Sequence, residues 1–240
     1  MTQEQKQYIE KHSDLIENGD WEIFFQNAPR GIGEVLYAAG IDFMSHLREI
    51  PEQSFWKSNI KDIDIPNSVT SIGDSAFRWC YSLESVAFGK NSQLMSIGKH
   101  AFYVCESLKS VAIPERVTSI GASAFADCLS LESITIPDSV TSIEESAFHN
   151  CPSLTSVTIP DSIKSIGAFA FAYCSSLKNI TIPDSVTRIN NDAFIDLGTD
   201  VVINFDGTKE QWKNIYSSEA FRNTYFTVNC LDGALHKKQR

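Results

Sequence analysis

Six cysteines in 240 residues carry the first chemistry to consider. Five of them, Cys80, Cys105, Cys128, Cys151 and Cys174, each stand three residues after a phenylalanine. No C-x-x-C pair and no Cys/His spacing of zinc type occurs. The histidines at 12, 46, 100, 149 and 236 include no pair at metal-binding helix spacing and no HExxH. His149 reads as an exposed turn residue rather than a base. Gly31-Ile32-Gly33 lacks the third glycine and the preceding strand of a dinucleotide loop, and reads as the start of a helix. There is no P-loop, no G-x-S-x-G and no paired-carboxylate constellation, and Glu144-Glu145 reads as a solvated turn. No cofactor, no metal and no enzymatic activity are expected.

The spacing of the cysteines comes from a repeat, and repeats decide a fold before anything else does. Phe77, Phe102, Phe125, Phe148, Phe171 and Phe194 are spaced 25, 23, 23, 23 and 23 residues apart. Cysteine follows each of the first five by three, and Leu197 takes that place after Phe194. Leu83, Leu108, Leu131, Leu154 and Leu177 follow by six. Ile-Pro recurs at 65–66, 113–114, 136–137, 159–160 and 182–183. The one long interval lies between Phe88 and Leu94, where Ile-Pro is lost; the two extra residues should bulge from a surface turn, where insertions are cheap.

Each unit has a readable local logic. In Leu131-x-x-Ile134-x-Ile136 the isoleucines alternate, which predicts a short strand with one apolar face. Pro137 has no N–H to give a ladder, so the strand ends there, and Asp138-Ser139 supplies a turn. Val140 to Ile143 forms a second short extended piece. Ala147-Phe148 is expected on a tight helical or 3₁₀ turn that Cys151 closes. One unit has no second layer to cover its apolar side, so units must stack, with Phe on Phe and Cys on Cys at about 4.8 Å. In such a ladder the Cβ vectors of neighbouring cysteines run parallel, and an odd number cannot pair completely. An unlinked ladder of small hydrophobic thiols is expected, with Cys230 a free thiol outside it.

The Leu-x-x-Ile-x-Ile strand, Ile-Pro-Asp-Ser-Val, Ser-Ile-Gly and Ala-Phe-x-x-Cys together resemble the BspA-like, or treponemal-class, leucine-rich repeats of bacteria. The resemblance runs from about residue 58 to 205. It implies an α+β repeat solenoid: a right-handed, curved array with its parallel sheet on the concave side. It also implies a binding role rather than catalysis, in proteins commonly secreted or attached to a surface.

A solenoid needs caps at its open ends. Residues 1–57 are expected to form a helical N-terminal cap, 58–205 the repeat array, and 206–240 a mixed α/β C-terminal cap with a basic tail. Tyr8, Ile9, His12, Leu15 and Ile16 share one helical face that Gly19 ends. Asp20 can cap a helix through Trp21 and Phe25, Glu34–Ala39 is helical, and Asp42 can cap a helix to about Arg48. Val202, Ile203 and Phe205 give a last array strand. Thr208 to Gln211 fits a capping box opening a helix to about Tyr216 that buries Trp212 and Ile215. Tyr225–Val228 reads as a final strand, and His236 to Arg240 as a solvated end.

The net charge of −10 disfavours direct nucleic-acid binding, which needs a basic face. No run of 18 apolar residues exists, so no membrane partner is expected. The start of the sequence has no apolar export segment, which with the thiol-rich core makes the cytoplasm the expected compartment. What remains is a binding module for a protein or glycan. Two sets of outward residues are candidates. Ser133, Thr135, Ser156 and Thr158 face outward from the strands, offering a flat polar surface. Trp79, Tyr81, Tyr103, Phe169 and Tyr173 cluster on the turns around the phenylalanines and are of the types that anchor interfaces, unless the N-terminal cap folds back over Trp79 and Tyr81. An intracellular scaffold or adaptor, an extracellular adhesin-type module and an acidic inhibitor filling a basic nucleic-acid channel of another protein all fit this reading.

Overall fold

The alternation of isoleucine with serine and threonine sets the first face. In the computed structural model, which describes residues 1–216 and 219–237, the strands Asp62–Ile65, Ser85–Phe88, Ser110–Ala112, Ser133–Thr135, Ser156–Thr158, Asn179–Ile182, Val201–Phe205 and Phe226–Cys230 lie side by side in chain order, all parallel. Gly233–Lys237, which the sequence did not announce, closes this sheet as the antiparallel arm of a hairpin. The register is strict: Ser133, Ser156 and Asn179 align, as do Ile134, Val157 and Ile180. Ile134 and Val157 are buried while Ser133, Thr135, Ser156 and Thr158 are exposed. After each strand the proline begins a turn, with the Val140 N–H donating to the Pro137 carbonyl. The serine of that turn reaches one repeat back: Ser162 Oγ donates to the Val140 carbonyl at 2.6 Å and Ser185 Oγ to Ile163 at 2.9 Å.

The second extended pieces pair between repeats in two short parallel sheets. Glu49–Ile50, Ser71–Ile72, Ser96–Ile97 and Ser119–Ile120 form one; Ser142–Ile143, Ser165–Ile166 and Arg188–Ile189 form the other. The insertion after Phe88 folds into a turn in which Ser92 N–H donates to the Gly89 carbonyl, and Leu94 returns to the core.

The phenylalanine segment is neither α nor 3₁₀ helix, as the sequence suggested, but a run of overlapping tight turns. Ala76, Arg78 and Cys80 N–H donate to the carbonyls three residues back, of Gly73, Ser75 and Phe77. The alternate N–H groups, of Ser75, Phe77 and Trp79, donate to Lys99, Ala101 and Tyr103 of the next repeat. Ser75 and Trp79, each third in its turn, have φ of +57° and +63°. Turns of that kind require a positive φ there, which a helix cannot contain. The same two places have positive φ in every repeat from Gln53 and Lys57 to Asp192 and Asp196.

This geometry stacks the rings. Successive phenylalanines from Phe77 to Phe194 lie 5.1–5.8 Å apart between centroids and within 17° of parallel. Each cysteine thiol then meets the carbonyl of the phenylalanine one repeat back: Cys105 Sγ lies 3.2 Å from Phe77 O, and Cys128 Sγ 3.3 Å from Phe102 O. All six cysteines are unlinked thiols, five of them buried. Burial pushes the Cys128 thiol up to about 12, and raises Cys105 and Cys151 in the same direction.

The stack is longer than the expected array of 58–205. Phe55 lies 5.0 Å from Phe77 and Phe221 4.9 Å from Phe194, both stacked. Ser58 holds the cysteine place after Phe55, and Thr224 holds it after Phe221, donating its hydroxyl to the Phe194 carbonyl at 2.7 Å. Phe43 continues the series at 6.2 Å from Phe55.

Helices close the first end. They are α1 (Gln3–Lys11), α2 (Ser13–Asn18), α3 (Trp21–Phe25) and α4 (Ile32–Ala38). The single helix expected through Tyr8 and Ile16 breaks at His12, whose Nδ1 lies 2.9 Å from the Tyr8 carbonyl. Asp20 precedes α3 without a side-chain capping bond. In place of the helix expected to Arg48 there is a 3₁₀ turn, Met44–His46, because Phe43, Met44 and Leu47 all turn inward. Gly31-Ile-Gly33 has a plain structural duty: Gly31 and Gly33 N–H donate to the Gln53 and Ser54 carbonyls at the open end of the stack. A Cβ on Gly33 would lie 2.8 Å from the Ser54 oxygen, so only glycine lets α4 approach.

At the other end the Thr208–Gln211 capping box is present and opens α5 (Lys209–Ile215). Trp212 is buried against Phe205, Phe221 and Phe226. Lys238 to Arg240 of the basic tail lie outside the described residues.

Candidate interaction surfaces

The outward residues divide between two faces. Ser133, Thr135, Ser156 and Thr158 lie on the long sheet, in rows that Ser85, Ser110 and Asn179 extend. Small side chains leave this face flat, and a row of charges runs along one margin, where Lys109 Nζ meets Glu84 Oε2 at 2.8 Å. Trp79, Tyr81, Tyr103, Phe169 and Tyr173 lie instead along the turns around the stacked phenylalanines. The turn edge and the sheet face do not converge on one site. Nor do the aromatics form a single group, because Trp79 and Tyr173 stand four turns apart, roughly 20 Å at the spacing of stacked strands.

Near Trp79 the edge is a staircase of rings and cations. Trp56 and Trp79 lie 5.3 Å apart. Lys57 Nζ sits between them, 4.5 Å from the Trp56 ring and 4.9 Å from the Trp79 ring. The Arg78 guanidinium lies 4.4 Å from Trp79 and 4.9 Å from Tyr103. Arg30, from the segment before α4, lies 5.3 Å from Trp56. Each contact sets a cation over the electron-rich face of a ring. Trp79 is therefore half-covered, mainly by neighbouring turns rather than by helices of the cap, while Tyr81 stays 47% exposed. Burial raises the Tyr103 hydroxyl, and the Asp127 carboxylate beside it adds to the rise. Burial lowers His100, with Arg78 and Lys99 adding to the effect and Asp74 opposing it.

Tyr173 is 43% exposed and meets His149 edge-on at 5.3 Å. Phe169 is half-buried. Trp79, Phe169 and Tyr173 share a further property: all three have positive φ, of +63°, +57° and +61°. The same places in other turns hold Ser123, Asp127, Ser146 and Asn150.

The sequence reading missed Trp56, Lys57, Arg30 and Arg78. A signal existed for the first two: Phe55 precedes Phe77 by 22 residues, close to the repeat period. It was hidden because serine replaces both the alanine before the ring and the cysteine after it. Among the described residues no group of three His, Cys, Asp or Glu side chains is placed to hold a metal ion. No described helix is long and apolar enough to cross a membrane.

The sequence matches the BspA type leucine-rich repeat region in six copies, over residues 35–102 and 95–227. The chain belongs to this family. Members of BspA-type and other leucine-rich repeat families are generally protein-interaction or surface-binding modules, and generally not enzymes. A leucine-rich cell surface protein of Faecalibacterium prausnitzii A2-165 is 31% identical with a TM-score of 0.55; the match covers 72% of this chain and 55% of that one. The T. pallidum leucine-rich repeat protein is 28% identical with a TM-score of 0.59, over 65% of this chain and 72% of that one. A leucine-rich repeat protein from Eubacterium ventriosum shares the fold at 23% identity and a TM-score of 0.58, over 70% and 44%. The chain thus spans about half the length of the F. prausnitzii protein. Among curated proteins there is no sequence match.

Proposed function

We propose that this BspA-type chain is a non-enzymatic interaction module, a scaffold or adaptor, that holds a protein partner along its turn edge. The observation that carries this reading is the set of bulky side chains at left-handed positions. Among residues with a Cβ, a left-handed backbone is tolerated best by asparagine and aspartate, and it strains large or β-branched residues. Asp127 and Asn150 show the inexpensive solution in this same fold; Trp79, Val104, Phe169 and Tyr173 depart from it. Strain held at outward positions, with the side chains left partly exposed, points to use rather than to packing. The flat serine and threonine face offers no comparable anchor.

The test replaces Trp79 by Asn, Phe169 by Ser and Tyr173 by Asn, the residues found at equivalent places in other turns. A partner captured from the source cells by the parent chain should be lost from the triple variant while the fold is kept. Equal capture by both proteins would remove the turn edge from consideration.

A second reading has one observation in its favour. The 31%-identical F. prausnitzii protein is described as a cell surface protein. A surface-displayed binding module fits that likeness. The thiol ladder does not oppose it, since all five of its thiols are buried and buried thiols resist oxidation.

A further inference from the structure

The turn edge changes sign along the stack. Its first three turns, with Arg30 lying over Trp56, present Lys57, Arg78 and Lys99. The carboxylates of Glu52 and Asp74 also lie on these turns, so the cations outnumber the acids there rather than standing alone; later turns present Asp127, Glu144, Glu145 and Asp196, with Asp192 buried against Arg222. Two arginines occupy the same repeat position, one residue after the ring: Arg78 after Phe77 and Arg222 after Phe221. Arg222 receives both oxygens of one carboxylate, Nε to Asp192 Oδ1 at 3.0 Å and Nη2 to Oδ2 at 2.6 Å. Asp192 stands two residues before the ring of the preceding turn. The corresponding residue for Arg78 is Gln53, whose amide donates instead to Glu52 Oε1. Arg78 accordingly has rings above and below it, no carboxylate, and an Nε without an acceptor. Neither Arg30 nor Lys57 belongs to the ion pairs of the described residues, which are Lys6–Glu10, Lys109–Glu84 and Arg222–Asp192.

From this pair of equivalent positions we infer that the first three turns receive carboxylates from outside: the partner on this part of the edge is an acidic, extended polypeptide segment seated on Arg30, Lys57 and Arg78. The inference rests on the turn-edge reading above and names the chemistry of the partner. The fold itself shows the bond an arginine makes at this place once a carboxylate is supplied, and guanidinium and carboxylate match as planar, two-pronged groups. Trp56, Trp79 and Tyr103 hold the cations over their faces without neutralising them. Tryptophan, tyrosine and arginine together are the residues that dominate protein interfaces. A long polyanion such as a nucleic acid fits less well, because its continuation would meet the acids of the later turns.

The experiment uses the whole chain and a fluorescein-labelled deca-glutamate peptide as probe, followed by anisotropy at low ionic strength. Saturable binding that weakens with salt is expected. Lys57→Gln combined with Arg78→Gln should weaken it about tenfold or more, while Lys178→Gln on the sheet margin leaves it unchanged. Gln53→Asp provides the sharper variant. It keeps every cation, places an aspartate where Asp192 serves Arg222, and should lower affinity for the peptide with no loss of thermal stability. Peptide affinity unchanged in both Gln53→Asp and the double variant overturns the inference. So does tighter binding of a heparin fragment or a single-stranded DNA than of the peptide, or self-association of the chain that accounts for the whole signal. If the partner lost from the triple aromatic variant is retained by Gln53→Asp, the acidic-segment inference fails and the turn-edge reading stands. If the triple variant itself retains that partner, the turn-edge reading fails first.

Discussion

Phe125 and Asp127 sit two residues apart on one turn. At the first place, every turn from Phe55 to Phe221 has the same ring. At the second place the residues run Lys57, Trp79, Val104, Asp127, Asn150, Tyr173, Asp196 and Asn223, all with φ between +52° and +63°. At each place the backbone repeats from turn to turn, so conformation does not explain why one place is constant and the other varies. The inner position has only one environment, a flat slot between two rings about 5 Å away, and one side chain fills it. The outer position has solvent on one side, and identity there is free to follow whatever lies outside. Stacking has thus separated the residues that hold the body together from those that distinguish one turn from the next.

The widest break in that comparison would come from the centre. Phe125→Ala empties a slot between Phe102 and Phe148, whose centroids lie 5.2 and 5.8 Å from its own. The neighbours are themselves stacked and cannot collapse into the gap. A loss of about 3–5 kcal/mol is expected by chemical denaturation. A loss under about 1 kcal/mol would mean that the ring column is not what supports the turns.

The thiol column comes next. Cys128→Ala should lose about 1 kcal/mol, the worth of one buried hydrogen bond to the Phe102 carbonyl. Cys128→Ser keeps a donor at the place where Thr224 already works as one, and should lie closer to the parent. Thiol titration offers a parallel check. With Cys128 pushed up to about 12 by burial, and five of six thiols buried, the folded protein at pH 8 should react slowly, and through Cys230 first. Six thiols should react after unfolding without reductant. Two or more fast thiols in the folded state would show that the column opens.

How much of this was legible beforehand follows the same division. The rings, cysteines and alternating isoleucines announced the stack, because a period of 23 residues with fixed identities has few physical solutions. The handedness of the turns was not legible. Ser75 and Trp79 carry no glycine or asparagine to signal positive φ, so the segment looked helical. Phe55 and Phe221 were harder to see, since their cysteine places hold Ser58 and Thr224 and Phe221 follows Phe194 by 27 residues rather than 23. The aromatic side chains on the edge were singled out by type. The cations between them were not, because Lys57 meets Trp79 only when two turns lie against each other.

On the outer edge the expected effect changes sign. Tyr173→Asn removes a ring that is 43% exposed and replaces a strained residue by one suited to its φ of +61°. Stability should rise by about 0.5–1 kcal/mol, part of the 1–2 kcal/mol that a left-handed backbone costs a residue with Cβ. The contact with His149 is edge-on and only partly covered, so its loss subtracts less than the relief of strain adds. A decrease of 1 kcal/mol or more would place Tyr173 among the residues that hold the body together.

The smallest effect is a titration at the border between the two regions. His100 lies two residues before Phe102, and burial lowers its pKa below the ordinary 6.5. Arg78 and Lys99 push the same way, and Asp74 pushes back. A histidine that binds its proton less well when folded makes the unfolded chain the better proton acceptor. Its contribution to stability is therefore present in full above about pH 6.5 and declines as the pH falls from there through the folded pKa. His100→Gln should flatten that part of the stability curve and leave the neutral region unchanged. Removing Arg78 by Arg78→Gln should flatten it in part, because one of the charges that disfavour the imidazolium is gone. If the parent and His100→Gln curves stay parallel from pH 7.5 to 5, neither burial nor charge shifts His100; if Arg78→Gln reproduces the parent curve, the edge cation does not act on it. The positive field assigned to the first three turns would then have no effect on the group best placed to sense it.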